Sequence, residues 1–284
     1  MNVSAIMTGR PVTVTESTTL DHALALMDEH GIRHLPVLRK GSLVGVLSDR
    51  DLLETTAGLP SSVHATRRRE GALPRTVGEI MHARVVCVEP GDSIAAASAD
   101  FLSLGIGCVP VVTRGELVGI LTEMDLVKAF VHGLIDAPPA SGIELRVIDY
   151  MTTSPRTIRW STTLGEATAI CRSNGIRHLV VEEAERVAGV VTDRDLRRAV
   201  GAGRSEDATV DEVLSKETVT TTPETRLVDA ARLLLERKIG CLPVVDEYRL
   251  VGILTVSDVL DHCLDTCRER HESAQPVERA APRP

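Results

Sequence analysis

The chain has 284 residues, a formal net charge of −8 and 43% hydrophobic residues. With 25% charged residues this composition describes a globular chain, and no window approaches the roughly 18 uninterrupted apolar residues of a membrane span. The acidic balance argues against general nucleic-acid binding, and five aromatics (Phe101, Phe130, Tyr150, Trp160, Tyr248) exclude stacking platforms, so a planar ligand must be held by aliphatic walls.

The β-rich stretch PVTV at Pro11–Val14 comes first. Thr18 stands three residues before Asp21, a capping-box-like start for a helix through LDHALALM that Gly31 closes as a C-cap. HLPVL, a turn at Lys40-Gly41 and LVGVL form a hairpin, and Ser48-x-x-Asp51 opens a second helix. The unit is β-α-β-β-α in about 55 residues, too small to be very stable alone. A loop follows at residues 57–75, where Arg67, Arg68, Arg69 and Arg75 face one Glu. It reads as solvated, with phosphate or nucleic-acid contact as the sharper alternative. VVCV at Val85–Val88 begins a second unit, APPASG at residues 137–142 is a joint, and residues 272–284 read as a flexible tail.

This unit occurs four times. Met7, Met81, Met151 and Leu214 start an ungapped alignment in which Ile32, Ile106, Ile176 and Ile239 share one column. Gly45, Gly119, Gly189 and Gly252 share a second, and Asp51, Asp125, Asp195 and Asp258 a third. The copies run over residues 3–56, 76–133, 146–204 and 208–266. They alternate in kind. The first and third read GIRHLPV and GIRHLVV with SDRDL and TDRDL; the second and fourth read GIGCVPVV and KIGCLPVV with TEMDL and TVSDV. An A-B pair, duplicated, is the simplest account. The expected fold class is α+β: four β-α-β-β-α repeats in two pairs.

These copies closely resemble cystathionine-β-synthase (CBS) domains, and an A-B pair resembles a Bateman module. The resemblance rests on M-T-x-x-P-V-T-V, G-I-R-H-L-P-V and L-V-G-V-L-S-D-R-D-L and covers nearly the whole chain. It implies clefts between paired repeats that take adenosine-containing ligands (AMP, ADP, ATP or S-adenosylmethionine), and a regulatory role without chemistry of its own. An adenine nucleotide would then be a regulatory ligand rather than a cofactor.

The resemblance also implies roles for residues. Asp51, Asp125, Asp195 and Asp258 would accept both ribose hydroxyls, with Ser48, Thr122, Thr192 and Thr255 beside them; a carboxylate suits a diol because it only accepts. The same Ser/Thr-x-x-Asp element is equally an ordinary capping box, and both readings can hold at once. Arg33, His34, Arg50, Arg177, His178 and Arg194 would reach phosphates, Arg offering a planar fork of donors. Their plainer reading is a solvated strand and weak surface ion pairs. The adenine slot would lie near Val12, Thr13, Pro36 and Val37 and near Arg156, Thr157, Val180 and Val181, positions that plain β core would fill alike.

His262, Cys263, Cys267 and His271 form a tail cluster that one helix cannot wrap around one ion, so no metal is expected. Neither a phosphate-binding G-x-x-x-x-G-K-[ST] loop nor H-E-x-x-H nor G-x-S-x-G occurs, so an enzyme is not expected. With no secretory signal and six cysteines spread along the chain, a cytoplasmic protein with free thiols is expected, as a homodimer acting on an unknown regulated protein. Two rivals remain: a ligand-free scaffold or interaction module, and a redox sensor acting through Cys108, Cys241 or the tail thiols.

Overall fold

The computed structural model describes residues 1–56, 75–94, 96–97, 106–134, 144–215 and 217–263. Arg67–Arg69, Cys267, His271 and the segment 272–284 lie outside them. In the first repeat β1 (Thr8–Gly9) and β2 (Val14–Thr15) precede α1 (Leu20–His30), the hairpin β3 (His34–Arg39) and β4 (Ser42–Ser48), and α2 (Asp49–Thr56). The second repeat contributes β5 (Cys108–Thr113), β6 (Glu116–Thr122) and α3 (Glu123–Val131). The third has β7 (Thr152–Thr153), β8 (Thr157–Ile158), α4 (Leu164–Asn174), β9 (His178–Glu183), β10 (Arg186–Thr192) and α5 (Asp193–Gly201). The fourth has α6 (Leu227–Arg237), β11 (Cys241–Asp246), β12 (Arg249–Thr255) and a helix at residues 256–263.

Local chemistry explains these elements, with some shifts from expectation. The leading strand is shorter than PVTV suggested: only Val14–Thr15 pairs, in parallel with Val37–Leu38. Of residues 85–88 only Val88 bridges, to Val111. The α1 cap is Thr19, whose side chain accepts from the His22 N–H. Thr18 instead accepts from the Thr15 N–H and closes the preceding turn. Gly31 ends α1 at φ 63°, a left-handed position that Lys238 takes at the end of α6. Every hairpin turns through two residues at positive φ, the type I′ arrangement that matches strand twist.

The repeats exchange their heads. A single 3-10 turn opens each one, at Val3–Ala5, Val77–Glu79, Val147–Asp149 and Val210–Glu212. Val3 packs in the core of the second repeat and Val77 in that of the first. Val147 enters the fourth repeat's core and Val210 the third's, and all four are 0% exposed. Backbone pairing follows the same exchange: β1 pairs antiparallel with β6, and β7 with β12. Val46 bridges His82, and Val190 bridges Ser215. Small apolar clusters seal each pair, with Val46, Cys108 and Ile120 in one and Val180, Cys241 and Ile253 in the other. The two pairs then meet helix to helix. α2 packs on α5, joining repeats 1 and 3, and α3 packs on α6, joining repeats 2 and 4. Val127 and Phe130 of α3 thereby belong to the fourth repeat's core.

Candidate functional site

The head exchange carries two of the sequence columns into contact. A Cβ added at Gly45 would stand 2.6 Å from Met81 Sδ, at Gly119 2.7 Å from Met7 Sδ, and at Gly252 2.5 Å from Met151 Sδ. At Gly189 it would stand 2.4 Å from Leu214 Cδ1 and 2.7 Å from the Ser215 carbonyl. Each glycine therefore receives the head residue of its sibling repeat. The next residue along that head lies beside the strand that leads into the sibling's Ser/Thr-x-x-Asp element.

All four aspartates use one oxygen as a helix cap. Oδ2 accepts the backbone N–H of Ser48, Thr122, Thr192 and Thr255 at 2.6–3.0 Å, and their hydroxyls at 2.6–2.7 Å. The other oxygen differs between the pairs. Asp51 Oδ1 meets His82 Nε2 at 3.0 Å, and Asp125 Oδ1 accepts from Thr8 Oγ1 at 2.9 Å, with Lys128 Nζ at 3.6 Å. Both main partners come from the sibling's head. Among the described residues nothing holds Oδ1 of Asp195 or Asp258. Burial pushes the Asp258 carboxyl above its ordinary range, against the pull of its bonds from Thr255. His82 and Thr8 escaped the sequence reading, although their position, directly after the repeat's first landmark, was a usable signal.

The basic residues divide between two places. His34 rests against Gly107, where a Cβ would fall 2.8 Å from its Nε2, and His178 rests against Gly240 at 2.4 Å. Burial pulls both imidazoles down to about 4; Asp49 opposes this most at His34, while Arg33 adds to it most at His178. Arg33 and Arg177 both influence His34, His178 and Glu123, so these two guanidinium groups converge where the pairs meet. Arg194 reaches across to the first repeat, 3.4 Å from Asp28 and 3.6 Å from Asp49, and Arg50 lines a cavity against the third repeat.

Of the expected adenine-slot residues, Pro36 and Val37 sit on β3, Thr157 on β8, and Val180 and Val181 on β9, while Val12, Thr13 and Arg156 stand just before β2 and β8. Val37, Val180 and Val181 are fully buried. Pro36 is also buried, Val12 and Thr13 are half-buried, and Arg156 and Thr157 are exposed. Thr13 also lines an open cavity against α1, with Thr18, His22 and Lys40. Neither that cavity nor the one at Arg50 is lined by any of the four aspartates.

Burial pushes the Cys108 and Cys241 thiols up to about 12 and Cys171 to about 11, which suppresses their thiolates. A redox sensor at Cys108 or Cys241 thus has no ready nucleophile. His262 is packed edge-on between Phe130 and Tyr150, and Cys263 is fully buried, as a packed final helix requires. Among the described residues no cluster of three His, Cys, Asp or Glu is arranged for a metal, and no helix is long and apolar enough to cross a membrane.

A family model for the CBS domain matches residues 3–58, 77–132, 147–202 and 210–265. Protein MJ1225 of Methanocaldococcus jannaschii is 28% identical over 272 residues, covering 88% of this chain and 94% of that one. Its crystal structure, described as a candidate archaeal homologue of g-AMPK, matches with a TM-score of 0.75 at 25% identity over 92% of this chain and 99% of that one. A conserved protein from Pyrococcus horikoshii shares the fold, with a TM-score of 0.62 at 23% identity over 93% and 100% of the two chains. The CBS domain-containing protein YhcV of Bacillus subtilis is 35% identical over 114 residues, 40% of this chain and 81% of that one.

Proposed function

The chain belongs to the CBS-domain family, and on that premise we propose that it is a non-enzymatic regulatory protein. It binds an adenosine-containing ligand, of the AMP, ADP, ATP or S-adenosylmethionine class, between paired repeats. Occupancy is passed on through the geometry of the pairs to a partner protein. One observation supports this most: each aspartate is held in place by its cap through one oxygen, so that the second can accept from other donors. That oxygen is uncommitted in Asp195 and Asp258. A vicinal diol there gains charge-assisted hydrogen bonds without breaking existing ones. In the first pair a ligand must displace His82 from Asp51 or Thr8 from Asp125. The second pair therefore fills first.

A ligand at 100 times its dissociation constant stabilises its site by about 2.7 kcal/mol. Thermal unfolding with AMP, ADP, ATP and S-adenosylmethionine tests this directly. A raised midpoint that Asp195→Ala and Asp258→Ala remove, and Asp51→Ala leaves largely intact, is the expected result. No shift with any of the four compounds overturns the reading. The rival, a ligand-free scaffold, draws on the Asp51–His82 and Asp125–Thr8 contacts, which hold the first pair together with nothing bound. It predicts an assembly indifferent to all four compounds.

A further inference from the structure

The hairpin tips of the two pairs carry opposite charge. In the first pair Ser42 of β4 bridges Glu116 of β6, which sets the tips of repeats 1 and 2 side by side. In the second pair the Arg186 guanidinium lies 5.7 Å over the Tyr248 ring and joins the tips of repeats 3 and 4. From its tip each returning strand runs to a helix cap, Ser42 to Ser48 in β4 and Arg186 to Thr192 in β10. The helices that follow, α2 and α5, make the seam between the pairs. A strand of this length spans roughly 20 Å, so the two sets of tips stand well away from the seam on either side.

Counterpart positions lie 144 residues apart in repeats 1 and 3 and 133 apart in repeats 2 and 4. Along the tips their charges invert. Arg39 becomes Glu183, Gly41 becomes Glu185, Thr113 becomes Asp246 and Arg114 becomes Glu247, while Glu116 becomes Arg249. At the first end Glu16 neutralises Arg39 in a two-bond ion pair. Lys40 and Arg114 are exposed there, and no carboxylate among the described residues pairs with either. Arg10, whose N–H bonds the Val118 carbonyl, adds a further cation near that tip. At the second end Glu182, Glu183, Glu185, Asp246 and Glu247 outnumber Arg159, Arg186 and Arg249. Among the described residues none of these five carboxylates belongs to an ion pair.

The acidic end also presents aromatic surface. Tyr248 is 76% exposed and Trp160 53%, two of the chain's five aromatics. Trp160 takes the place of Glu16, and Tyr248 that of Gly115. Tyr248 holds φ 77°, a left-handed position that glycine fills in repeat 2, so the backbone is strained to carry a ring at the tip. Exposed aromatics within a charged rim are the composition of a protein–protein interface.

We propose that the acidic, aromatic end of one copy docks on the basic end of a second copy, so that this chain associates head to tail. The basic end supplies cations for the carboxylates, and the aliphatic stems of its Lys and Arg side chains cover the rings. Because the two ends differ, the contact is heterologous, and each copy takes a neighbour at both ends. Charge complementarity of this exposed kind makes the association salt-dependent. It stands whether or not adenosine ligands bind, since all four aspartates lie at the opposite end of their hairpins from the tips.

The test is sedimentation velocity of the full chain over a concentration series, without nucleotide. At about 0.05 M salt the average sedimentation coefficient should rise with concentration, and at about 0.5 M salt, where the Debye length is about 4 Å, the rise should be lost. Lys40→Glu/Arg114→Glu makes both ends acidic, and Glu183→Lys/Glu247→Lys makes both basic; all four positions are exposed, so neither variant disturbs a core. Each variant alone should sediment as a single species at every concentration, and their equimolar mixture should regain association. A wild type that stays a single species at low salt overturns the proposal. So does a mixture as inert as its components, or association that persists in either variant alone.

Discussion

Gly107 and Gly240 carry no side chain where His34 and His178 need the space, and this explains why the repeats alternate in kind. The A copies present Arg-His after their Gly-Ile dipeptide and the B copies present Gly-Cys. Across each pair the histidine ring of one kind lies on the glycine of the other. Two A copies could not pair in this way, because both would present a ring. The contact also makes stability depend on pH. Both histidines have folded values near 4, below the ordinary 6.5, so between those limits the unfolded chain binds protons that the native chain refuses. Their contribution is complete above pH 6.5 and is lost as pH falls towards about 4. Local rearrangement and water entry on protonation reduce the effect, so each contributes on the order of 1 kcal/mol. His34→Gln/His178→Gln should flatten the fall in denaturant midpoint between pH 6.5 and 5; an unchanged slope would assign the acid sensitivity to carboxylates instead.

The hairpins show what an element tolerates. Lys40-Gly41 and Arg114-Gly115 place glycine at the second left-handed position, at φ 87° and 83°. The third repeat manages the same turn with Ala184 and Glu185, at φ 48° and 61°. A non-glycine residue in this region costs roughly 1–2 kcal/mol. Glu185 is exposed and belongs to no ion pair among the described residues. Glu185→Gly should therefore stabilise the third repeat by about 1 kcal/mol in chemical denaturation, less what glycine costs the unfolded state. A destabilised variant would mean that the turn is held by something other than backbone preference. Tyr248 makes a poorer test, because its ring also packs under Arg186.

For the whole molecule, head exchange makes the pair the smallest unit with closed cores. Val3 belongs to the first repeat by position and to the second by packing. Its N–H also bonds the Asp92 carbonyl of the second repeat at 2.9 Å. Val3→Ala should cost about 1–3 kcal/mol, as other methyl deletions in closed cores do. Amide hydrogen exchange should place the loss mainly in β5, β6 and α3 rather than in α1 and the β3–β4 hairpin. A loss confined to the first repeat would contradict the exchange. On the proposed function, a ligand that separates a head from the sibling's aspartate would move a segment anchored in the other repeat's core, and the helix seams α2–α5 and α3–α6 join that repeat to the second pair.

The repeat, its alternation, the Lys40-Gly41 turn and the Ser/Thr-x-x-Asp caps were legible in the sequence because each depends on residues close together along the chain, whereas the cap of α1 falls at Thr19, one residue after the expected Thr18. Thr122 and Asp125 announce their cap at a spacing of three, and Gly31 its helix end by being glycine. The roles of the landmark columns were not legible. Met7 and Gly119 stand far apart in sequence, and alignment shows that both recur without showing that they touch. The same holds for Thr8 with Asp125 and His82 with Asp51, which decide whether a carboxylate oxygen is available. Local composition thus determined what each repeat is. Only packing decided which repeat each head completes and where the arginines gather, because those outcomes depend on surfaces brought together by folding rather than on neighbours in the chain.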